Sequence, residues 1–176
     1  SPIIGVNIGK QKTTPVDDAA NDYVRCFRVL SPFADYVTVN VSSPNTPELR
    51  KLQEPARLQA LFQALHAVNS ERIPLVVKIA PDLSLTELDE VLAVCRTSAV
   101  SGIIATNTTV GREGLSTETQ EVGGLSGRPL FSRSLSVVQA VRERVGDSLP
   151  IIAAGGVRSA AEAQQFLSAG AKLLQI

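Results

Sequence analysis

Five stretches of this chain are continuously apolar or β-branched, and each ends in polar residues. These stretches cover residues 3–7, 36–40, 75–78, 102–109 and 150–156, and a sixth apolar run covers residues 173–176. Apolar runs without polar alternation predict strands that are buried on both faces of a parallel sheet. Ligands bind beyond the carboxyl ends of such strands. The polar residues that follow the strands are therefore expected to form one ligand site.

The segments between these strands have apolar residues at helical spacing. The predicted helices cover about residues 15–30, 55–68, 84–95, 135–145 and 159–170. Thr14 is the predicted N-cap of the first helix, with Pro15 as its first residue. Ser84 and Ser159 each begin a Ser-x-x-Glu capping box, and Leu85 is expected to face the core. The alternation of strands and helices predicts an α/β fold with a parallel sheet.

Six strands and five helices fit either an open, doubly wound sheet or most of an eight-stranded (β/α)8 TIM barrel. Candidate ligand residues follow nearly every strand, whereas an open sheet concentrates them at one switch point. Gly155 and Gly156 also follow the penultimate strand, where barrels often bind a phosphate. We therefore predict an incomplete TIM barrel, with residues 1–176 as part of a single domain. Because the chain contains no Met and ends within a predicted strand, we expect about two further βα units before it and one further helix after it.

Composition and charge narrow the functional classes. The chain has 176 residues, 44% of them hydrophobic, which is typical of one globular domain. Lys plus Arg and Asp plus Glu are both 17, so no excess of basic residues indicates nucleic-acid binding. No apolar run is long enough to span a bilayer. Two cysteines and one histidine are too few for a disulfide framework or a zinc site, so no metal is predicted.

Lys78 is the strongest single indication of a ligand. It lies in the strand sequence Leu-Val-Val-Lys-Ile, where a buried ammonium is unfavourable unless it meets an anion or an electron-rich group. The alternative, a lysine that reaches solvent along its own alkyl chain, fits less well among aliphatic neighbours. Lys78 is therefore a candidate ligand contact.

Four asparagines, Asn7, Asn40, Asn45 and Asn107, lie at or just beyond strand ends. Each amide supplies donors and an acceptor, which suits a planar, imide-like ligand such as a pyrimidine or an isoalloxazine ring. Turn formation is the alternative, and it is strongest for Asn45, which lies between two prolines.

Two glycine-rich turns are candidate phosphate sites. Gly155-Gly156 precede the fifth predicted helix, whose N-terminus adds positive potential, and a Gly-Gly-Leu-Ser-Gly sequence covers residues 123–127. An ordinary tight turn is the alternative for both. The segment 107–131, which contains the second turn, has little predicted secondary structure, as is typical of a functional loop or lid.

Ser42 and Ser43 lie in a loop after the second strand. A serine hydroxyl is a weak base and needs a partner or a water path to carry the proton. His66, the single histidine, lies on a predicted helix away from the strand ends, so a serine–histidine hydrolase is disfavoured. Spacing alone leaves open whether either serine is catalytic.

Five sequence blocks taken together resemble the dihydroorotate dehydrogenase family. They are Asn-Val-Ser-Ser-Pro-Asn-Thr at 40–46, Val-Lys-Ile-Ala-Pro-Asp at 77–82, Thr-Asn-Thr-Thr at 106–109, Gly-Gly-Leu-Ser-Gly-Arg-Pro-Leu at 123–130 and Gly-Gly at 155–156. The blocks occur in the family's order and approximate spacing, across essentially the whole chain. The resemblance implies an FMN-containing βα barrel that oxidises dihydroorotate to orotate in pyrimidine biosynthesis.

The resemblance also implies roles for individual residues. Ser43 matches the base that removes the C5 proton of dihydroorotate while hydride leaves C6 for the flavin. The positions that match orotate contacts are Asn40, Asn45, Asn107 and Thr108. The positions that match FMN contacts are Asn7, Asn40, Lys78, Thr106, Gly127 and Gly156, with Lys78 near the flavin ring and Gly156 near the phosphate.

Serine at the position of the base, where the soluble class 1 enzymes have cysteine, resembles class 2. Class 2 implies electron transfer to a membrane quinone through an N-terminal helical extension. It also implies a peripheral location on the bacterial cytoplasmic membrane or the mitochondrial inner membrane. The alternatives are another FMN barrel that acts on a pyrimidine ring, such as a class 1 form or a dihydrouridine synthase, and a non-catalytic phosphate-binding barrel.

Overall fold

The strands of the chain form one parallel sheet in the computed structural model, which describes residues 2–115 and 121–176. The strands are β1 (Gly5–Ile8), β2 (Tyr36–Asn40), β3 (Leu75–Ile79), β4 (Gly102–Ala105), β5 (Ile151–Ala154) and β6 (Leu173–Gln175). Each strand pairs with the next one along the chain. Because the order never reverses, right-handed crossovers put the connecting helices on one face of the sheet. The predicted incomplete TIM barrel is confirmed, and the doubly wound alternative is wrong for the described residues.

Five helices connect the strands in the described part of the chain, as predicted. They are α1 (Ala19–Leu30), α2 (Pro55–His66), α3 (Leu85–Thr97), α4 (Phe131–Val145) and α5 (Ala160–Ser168). Neighbouring helices pack against each other in sequence order from α1 to α5. Short 3-10 turns precede three of the helices, at Val16–Asp18, Leu49–Gln53 and Arg128–Leu130. None of the helices within the described ranges is long and apolar enough to cross a bilayer.

The two faces of the sheet have different neighbours. On the outer face, Val39, Val77 and Ile103 are fully buried in the main hydrophobic core, which they share with the helices. The inner face has a small second cluster, formed by Tyr36, Val76, Ile104, Ile152 and Ala154. Side chains alternate along a strand, so Lys78 and its register partner Asn40 lie on this inner face. The sequence therefore directs polar side chains toward the barrel interior at the carboxyl ends of the strands.

The start of α1 and the orientation of Leu85 differ from the prediction, and α4 begins at Phe131, four residues before the predicted position. Val16–Asp18 form a 3-10 turn, so α1 begins at Ala19, and neither Thr14 as N-cap nor Pro15 as first helical residue is right. Pro15 instead precedes the turn with φ −56° and ψ 149°. Leu85 is 63% exposed, so its predicted inward orientation is wrong as well. It is the first residue of α3, where the backbone has not yet reached the sheet.

One of the two predicted capping boxes is complete. The Ser84 hydroxyl accepts from the Glu87 amide at 3.2 Å, and the Glu87 carboxylate accepts from the Ser84 amide at 2.8 Å. The Ser159 hydroxyl likewise accepts from the Glu162 amide at 3.2 Å. The Glu162 carboxylate, however, accepts from the amide of Arg158, one residue earlier than a capping box requires.

Candidate active site

A cavity of about 520 Å³ lies at the carboxyl ends of the strands. This volume is within the range of about 300–1,000 Å³ that is usual for small-molecule sites. Seven of the predicted site residues line it: Asn7, Lys78, Thr106, Asn107, Thr108, Gly127 and Gly156. The other three, Asn40, Ser43 and Asn45, are not among its lining residues. They lie at the end of β2 and in the loop that follows.

Hydrogen bonds connect the end of β2 to the end of β4. The Asn40 Oδ1 atom accepts from the Ser42 amide at 3.2 Å, from the Ser42 hydroxyl at 3.0 Å and from Asn107 Nδ2 at 3.2 Å. Asn107 Nδ2 also donates to Ser42 Oγ at 3.0 Å. These donors fix which end of the Asn40 amide is oxygen. Among the described residues Asn40 Nδ2 makes no hydrogen bond, so it is the end left to donate to a ligand.

Asn107 is engaged at both ends of its amide. Its Oδ1 accepts from the Thr108 amide at 2.8 Å, and its Nδ2 makes the two bonds to Asn40 and Ser42. Asn107 therefore orders its neighbours, and a ligand that bonds to it would share or replace one of these contacts. Ser42 is fully buried between the two asparagines. Spacing alone gave Ser42 and Ser43 equal standing, the family resemblance pointed to Ser43, and the geometry adds that Ser42 is buried.

Tyr23 holds the backbone of β2 from the helical side. Its hydroxyl donates to the Asn40 carbonyl oxygen at 2.6 Å, and the side chain is fully buried. Burial raises the pKa of Tyr23 far above its usual value, so the phenol stays protonated and remains a donor. This contact fixes the backbone from which the Asn40 amide projects.

Ser43 is half-buried in the loop after β2, and its Oγ accepts from the Asn45 amide at 3.2 Å. Gly124, in the loop after β4, packs against this loop. A Cβ on Gly124 would lie 1.9 Å from Thr108 Oγ1 and 2.8 Å from Pro44 Cγ, so no side chain fits between them. The structure therefore brings the loop of Ser43 and Asn45 beside Thr108, at the edge of the cavity.

Lys78 enters the cavity from the inner face of β3. Its ammonium donates to Gln175 Oε1 at 3.1 Å, and both side chains line the cavity. Burial lowers the pKa of Lys78. An anionic or electron-rich group beside the ammonium would offset this effect. Gln175 was not identified from the sequence, because it lies 97 residues from Lys78 and no pattern links the two.

The glycine turn after β5 lines the same cavity as Lys78. Gly155 and Gly156 have φ values of +116° and +80°, which side-chain-bearing residues rarely adopt. A Cβ on Gly156 would also lie 2.8 Å from the Gly127 carbonyl oxygen and from Phe131. The turn is therefore a close-packed junction before α5, and its backbone is still partly accessible from the cavity. Either reason accounts for glycine here.

Thr106 is buried beneath this turn. Its hydroxyl lies 3.0 Å from Ser134 Oγ and donates to the Asn107 carbonyl oxygen at 2.9 Å. A Cβ on Gly155 would lie 2.4 Å from the same Ser134 hydroxyl. Thr106 thus contributes to the cavity wall while its hydroxyl is bound by neighbouring residues. Ser134 is a further residue that sequence reasoning did not identify.

An ion pair outside the cavity joins three of the loops. Arg50 donates to the Ser42 carbonyl at 2.9 Å, to the Asp82 carboxylate at 2.7 Å and to the Thr108 carbonyl at 2.8 Å. Asp82 also accepts from the Thr109 hydroxyl. Burial would raise the pKa of Asp82, but hydrogen bonds from Thr109, the Val110 amide and Arg50 hold it below its usual value. Asp82 lies four residues beyond the predicted strand 75–78 and belongs to the block at 77–82 that carries the family resemblance, and these were the available signals.

The long loop after β4 lacks regular helix or strand in its described residues up to Gly127. Thr109 and Leu125 form an isolated antiparallel bridge, and Arg112 donates to the carbonyls of Glu121 and Gly123 on the opposite side of the loop. Residues 116–120 of this segment lie outside the described residues. Its predicted role as a lid stays a prediction.

The residues in and around the cavity fit FMN in their chemistry. The half-buried Lys78 ammonium offers a cation for an electron-rich ring, and Asn40, beside the cavity, offers an amide donor. The partly accessible backbone at Gly156, in the turn before α5, suits a phosphate. His66, by contrast, is the last residue of α2, and its Nε2 lies 2.6 Å from the Ser98 carbonyl oxygen. It lies at the opposite end of the sheet from Ser42 and Ser43, so the geometry offers no serine–histidine pair.

Comparison with known proteins points to one family. The model of the dihydroorotate dehydrogenase family matches residues 1–176. The dihydroorotate dehydrogenase (quinone) of Chloroflexus aurantiacus is 50% identical over 185 residues, which cover 98% of this chain and 51% of that protein. The corresponding protein of Kocuria rhizophila is 48% identical, over 99% of this chain and 51% of its own length.

Solved structures agree with this result. The crystal structure of DHODH from Eimeria tenella in complex with ferulenol has a TM-score of 0.93 at 34% identity, and the match covers 99% of this chain and 52% of that one. The ligand-free type from the same organism has a TM-score of 0.91 at 34% identity. The chain spans about half the length of the curated relatives it matches.

Proposed function

Because this chain belongs to the dihydroorotate dehydrogenase family, we propose that it forms the substrate and cofactor loops of an enzyme that oxidises dihydroorotate to orotate in pyrimidine biosynthesis. One observation carries the proposal. The cavity that Lys78 and Gly156 line together is bordered by the hydrogen-bonded amides of Asn40 and Asn107. A cation, a partly accessible glycine backbone and planar amides are the groups that a flavin and a pyrimidine ring would require.

The proposed cofactor is FMN, held by Asn7, Asn40, Lys78, Thr106, Gly127 and Gly156. When bound, FMN supplies a two-electron acceptor for the hydride that leaves C6 of dihydroorotate. Lys78 supports this assignment, because a positive charge beside the ring would stabilise the negative charge of the reduced cofactor. Gly156 supports it because its backbone lies just before α5, where a phosphate is stabilised by the helix N-terminus.

The proposed substrate contacts are Asn40, Asn45, Asn107 and Thr108. Asn40 presents its Nδ2 donor to the ligand because three donors already occupy its Oδ1. Asn45 lies on the loop after β2 and Thr108 on the loop after β4, and the two loops are in close contact at Gly123 and Gly124. Amides on two sides of a flat ring would orient it by hydrogen bonds to its carbonyl and N–H groups.

Ser43 is the proposed base that accepts the C5 proton of dihydroorotate. A hydroxyl can accept this proton only as it gives up its own to a neighbouring acceptor or to solvent. The Asn45 amide, which donates to Ser43 Oγ, stabilises negative charge on that oxygen as the transfer proceeds. Loss of the C5 proton and of the C6 hydride together produce the C5–C6 double bond of orotate.

The relatives named dihydroorotate dehydrogenase (quinone), together with a serine as the proposed base, support a quinone as the final electron acceptor. We accordingly propose a peripheral location on the membrane that holds this quinone, through a helical extension outside residues 1–176. That membrane would be the bacterial cytoplasmic membrane or, in a eukaryote, the mitochondrial inner membrane. We propose no nucleic-acid partner, because the formal net charge of the chain is zero.

The test uses the full-length protein. It should purify with a flavin absorbance spectrum, which dihydroorotate bleaches without oxygen and which ubiquinone or menaquinone then restores. Restoration by fumarate or NAD would indicate a class 1 form. A flavin that dihydroorotate does not reduce would indicate another pyrimidine-directed barrel such as a dihydrouridine synthase. A protein without flavin would indicate a non-catalytic phosphate-binding barrel and would refute the proposal.

A further inference from the structure

The Arg50 side chain, in the loop after β2, donates hydrogen bonds to the loops after β2, β3 and β4 at once. Its Nε donates to the Ser42 carbonyl oxygen, its Nη1 to Asp82 and its Nη2 to the Thr108 carbonyl oxygen. The acceptors lie 8, 32 and 58 residues away along the chain. We call this set of contacts the Arg50 bridge. A planar guanidinium with donors in a fixed fork can hold three acceptors that a lysine ammonium would not reach together.

Two of the three acceptors adjoin residues of the proposed reaction. The Ser42 carbonyl immediately precedes Ser43, and the Thr108 carbonyl belongs to a proposed substrate contact. The Arg50 bridge therefore holds the backbone of the loops after β2 and β4, which are in close contact at Gly124. The FMN-facing residues Lys78 and Gly156 take no part in it.

The third acceptor keeps Arg50 itself in place. Asp82 pairs with Arg50 at 2.7 Å, and its side chain is only 15% exposed. It also accepts from Thr109 and from the Val110 amide, and Arg133 Nε lies 3.3 Å from its other oxygen. A carboxylate held by three hydrogen-bond donors and a second ion pair leaves the guanidinium little freedom to turn away.

We propose that Arg50 is a positioning residue that sets the distance between Ser43 and the substrate-binding Thr108. This inference rests on the proposed function, and it adds to that function a residue that touches neither substrate nor cofactor. Without the guanidinium, two half-buried carbonyls and the Asp82 carboxylate lose a donor, and the loops after β2 and β4 separate. Misplacement of reacting groups by about 1 Å can slow a reaction about 100-fold.

The experiment compares Arg50→Ala and Arg50→Lys with Arg57→Ala in the full-length protein. Arg57 is a matched control, because it too is held by ion pairs, with Asp17 and Glu54, and has 32% side-chain exposure against 23% for Arg50. Amide hydrogen exchange is followed in segments 41–47 and 106–110 without substrate. Flavin reduction by dihydroorotate is followed in single turnovers, with and without added methylguanidinium, and FMN content is measured.

In Arg50→Ala we expect faster exchange confined to the two segments, flavin reduction about 10- to 100-fold slower and unchanged FMN content. Methylguanidinium should partly restore the rate in Arg50→Ala, and it should not do so in Ser43→Ala. Arg50→Lys should fall between Arg50→Ala and wild type. Arg57→Ala should match wild type in all of these measurements.

Wild-type exchange and a wild-type reduction rate in the Arg50 variants would overturn the inference. Faster exchange spread evenly over the chain would also overturn it, because this would show a general loss of stability. If Arg50→Ala fails to fold, Arg50→Lys decides by the same measurements. If dihydroorotate does not reduce the wild-type flavin, the proposed function fails, and the exchange data still decide whether the bridge holds the two loops.

Discussion

The two sides of the cavity are built by different physical means. On the amide side, Asn107 and Thr108 line the cavity and are hydrogen-bonded to each other, and Asn107 is also hydrogen-bonded to Asn40 and Ser42 behind it. The glycine side, formed by Gly127, Gly155 and Gly156, consists of backbone at positive φ, where missing side chains allow close approach. The first side fixes the direction of donors and acceptors, and the second fixes the space that is left open.

This difference predicts which property a substitution on each side of the cavity should change. On the amide side, removal of one polar group leaves its partners without a hydrogen bond, which disturbs the orientation of a ligand with little change in volume. On the glycine side, a methyl group added at Gly156 collides with backbone atoms of Gly127 and Phe131. Substitutions should therefore affect catalysis on the first side, and cofactor binding and folding on the second.

Ser43→Ala should give the largest effect and test the amide side. Without the hydroxyl that accepts the C5 proton, flavin reduction by dihydroorotate should slow about 10²- to 10⁴-fold. FMN content should stay at the wild-type level, because the glycine side is intact. Anaerobic stopped-flow absorbance measures the rate. Reduction at the wild-type rate would remove Ser43 from the mechanism.

Gly156→Ala tests the glycine side. The new Cβ would lie 2.8 Å from the Gly127 carbonyl oxygen and from Phe131, at φ +80°, so we expect about 1–3 kcal/mol less stability and a loss of FMN. Gly146→Ala is the control, because it has φ +56° but no atom within 4 Å of the new Cβ. Urea unfolding and flavin content measure both effects. Equal losses of stability and of FMN in the two variants would mean that backbone strain alone, and no contact with a ligand, explains the glycine at residue 156.

Asp82→Asn tests whether the loops of the amide side depend on charge. Thr109, the Val110 amide and Arg50 lower the pKa of Asp82 against the effect of burial, and Arg133 also faces it. The folded protein therefore holds the carboxylate more readily than the unfolded chain does. Its contribution is complete above the unfolded pKa of about 3.9 and is lost as the pH falls toward the lower folded value.

The wild type should accordingly be more stable than Asp82→Asn by about 1–3 kcal/mol at neutral pH. This difference should shrink as the pH falls below about 4. Urea unfolding at a series of pH values measures it. A difference that is constant across the acidic range would show that the charge of Asp82 contributes nothing.

Ser42→Ala should give the smallest effect and sharpen the comparison. The change removes one donor to Asn40 Oδ1 and one acceptor for Asn107 Nδ2, but the direct bond between the two asparagines remains. We expect orotate to bind more weakly by about 1 kcal/mol, with FMN content unchanged. Calorimetric titration with orotate measures the loss. Unchanged orotate affinity would mean that Ser42 does not orient the two amides.

Most of the fold could be predicted from the sequence because its signals are local. Unbroken apolar runs identified the six strands, and Ser84 with Glu87 marked the start of α3. The start of α1 was missed because proline favours both a helical first turn and the 3-10 turn that forms at Val16–Asp18. Leu85 was misassigned because helical spacing alone does not show where the first turn of a helix meets the sheet.

The candidate site was predicted only in part. Lys78 and the asparagines could be found because polar residues at the ends of apolar strands are conspicuous. Arg50 and Gln175 could not be found, because all of the partners of their side chains except Ser42 lie 32 to 97 residues away and become neighbours only when the sheet forms. The distinction between Ser42 and Ser43 came from the family resemblance. The structure adds that Ser42 is fully buried in the amide cluster, whereas Ser43 is partly accessible.

A crystal structure of the full-length protein with FMN and orotate tests the central claim most directly. We predict the FMN phosphate within hydrogen-bond distance of the Gly156 amide and the flavin ring beside the Lys78 ammonium. Orotate should lie between Asn40 and Thr108, with its C5 atom facing the Ser43 hydroxyl. Binding of either molecule outside this cavity, or orotate with C5 turned away from Ser43, would contradict the account.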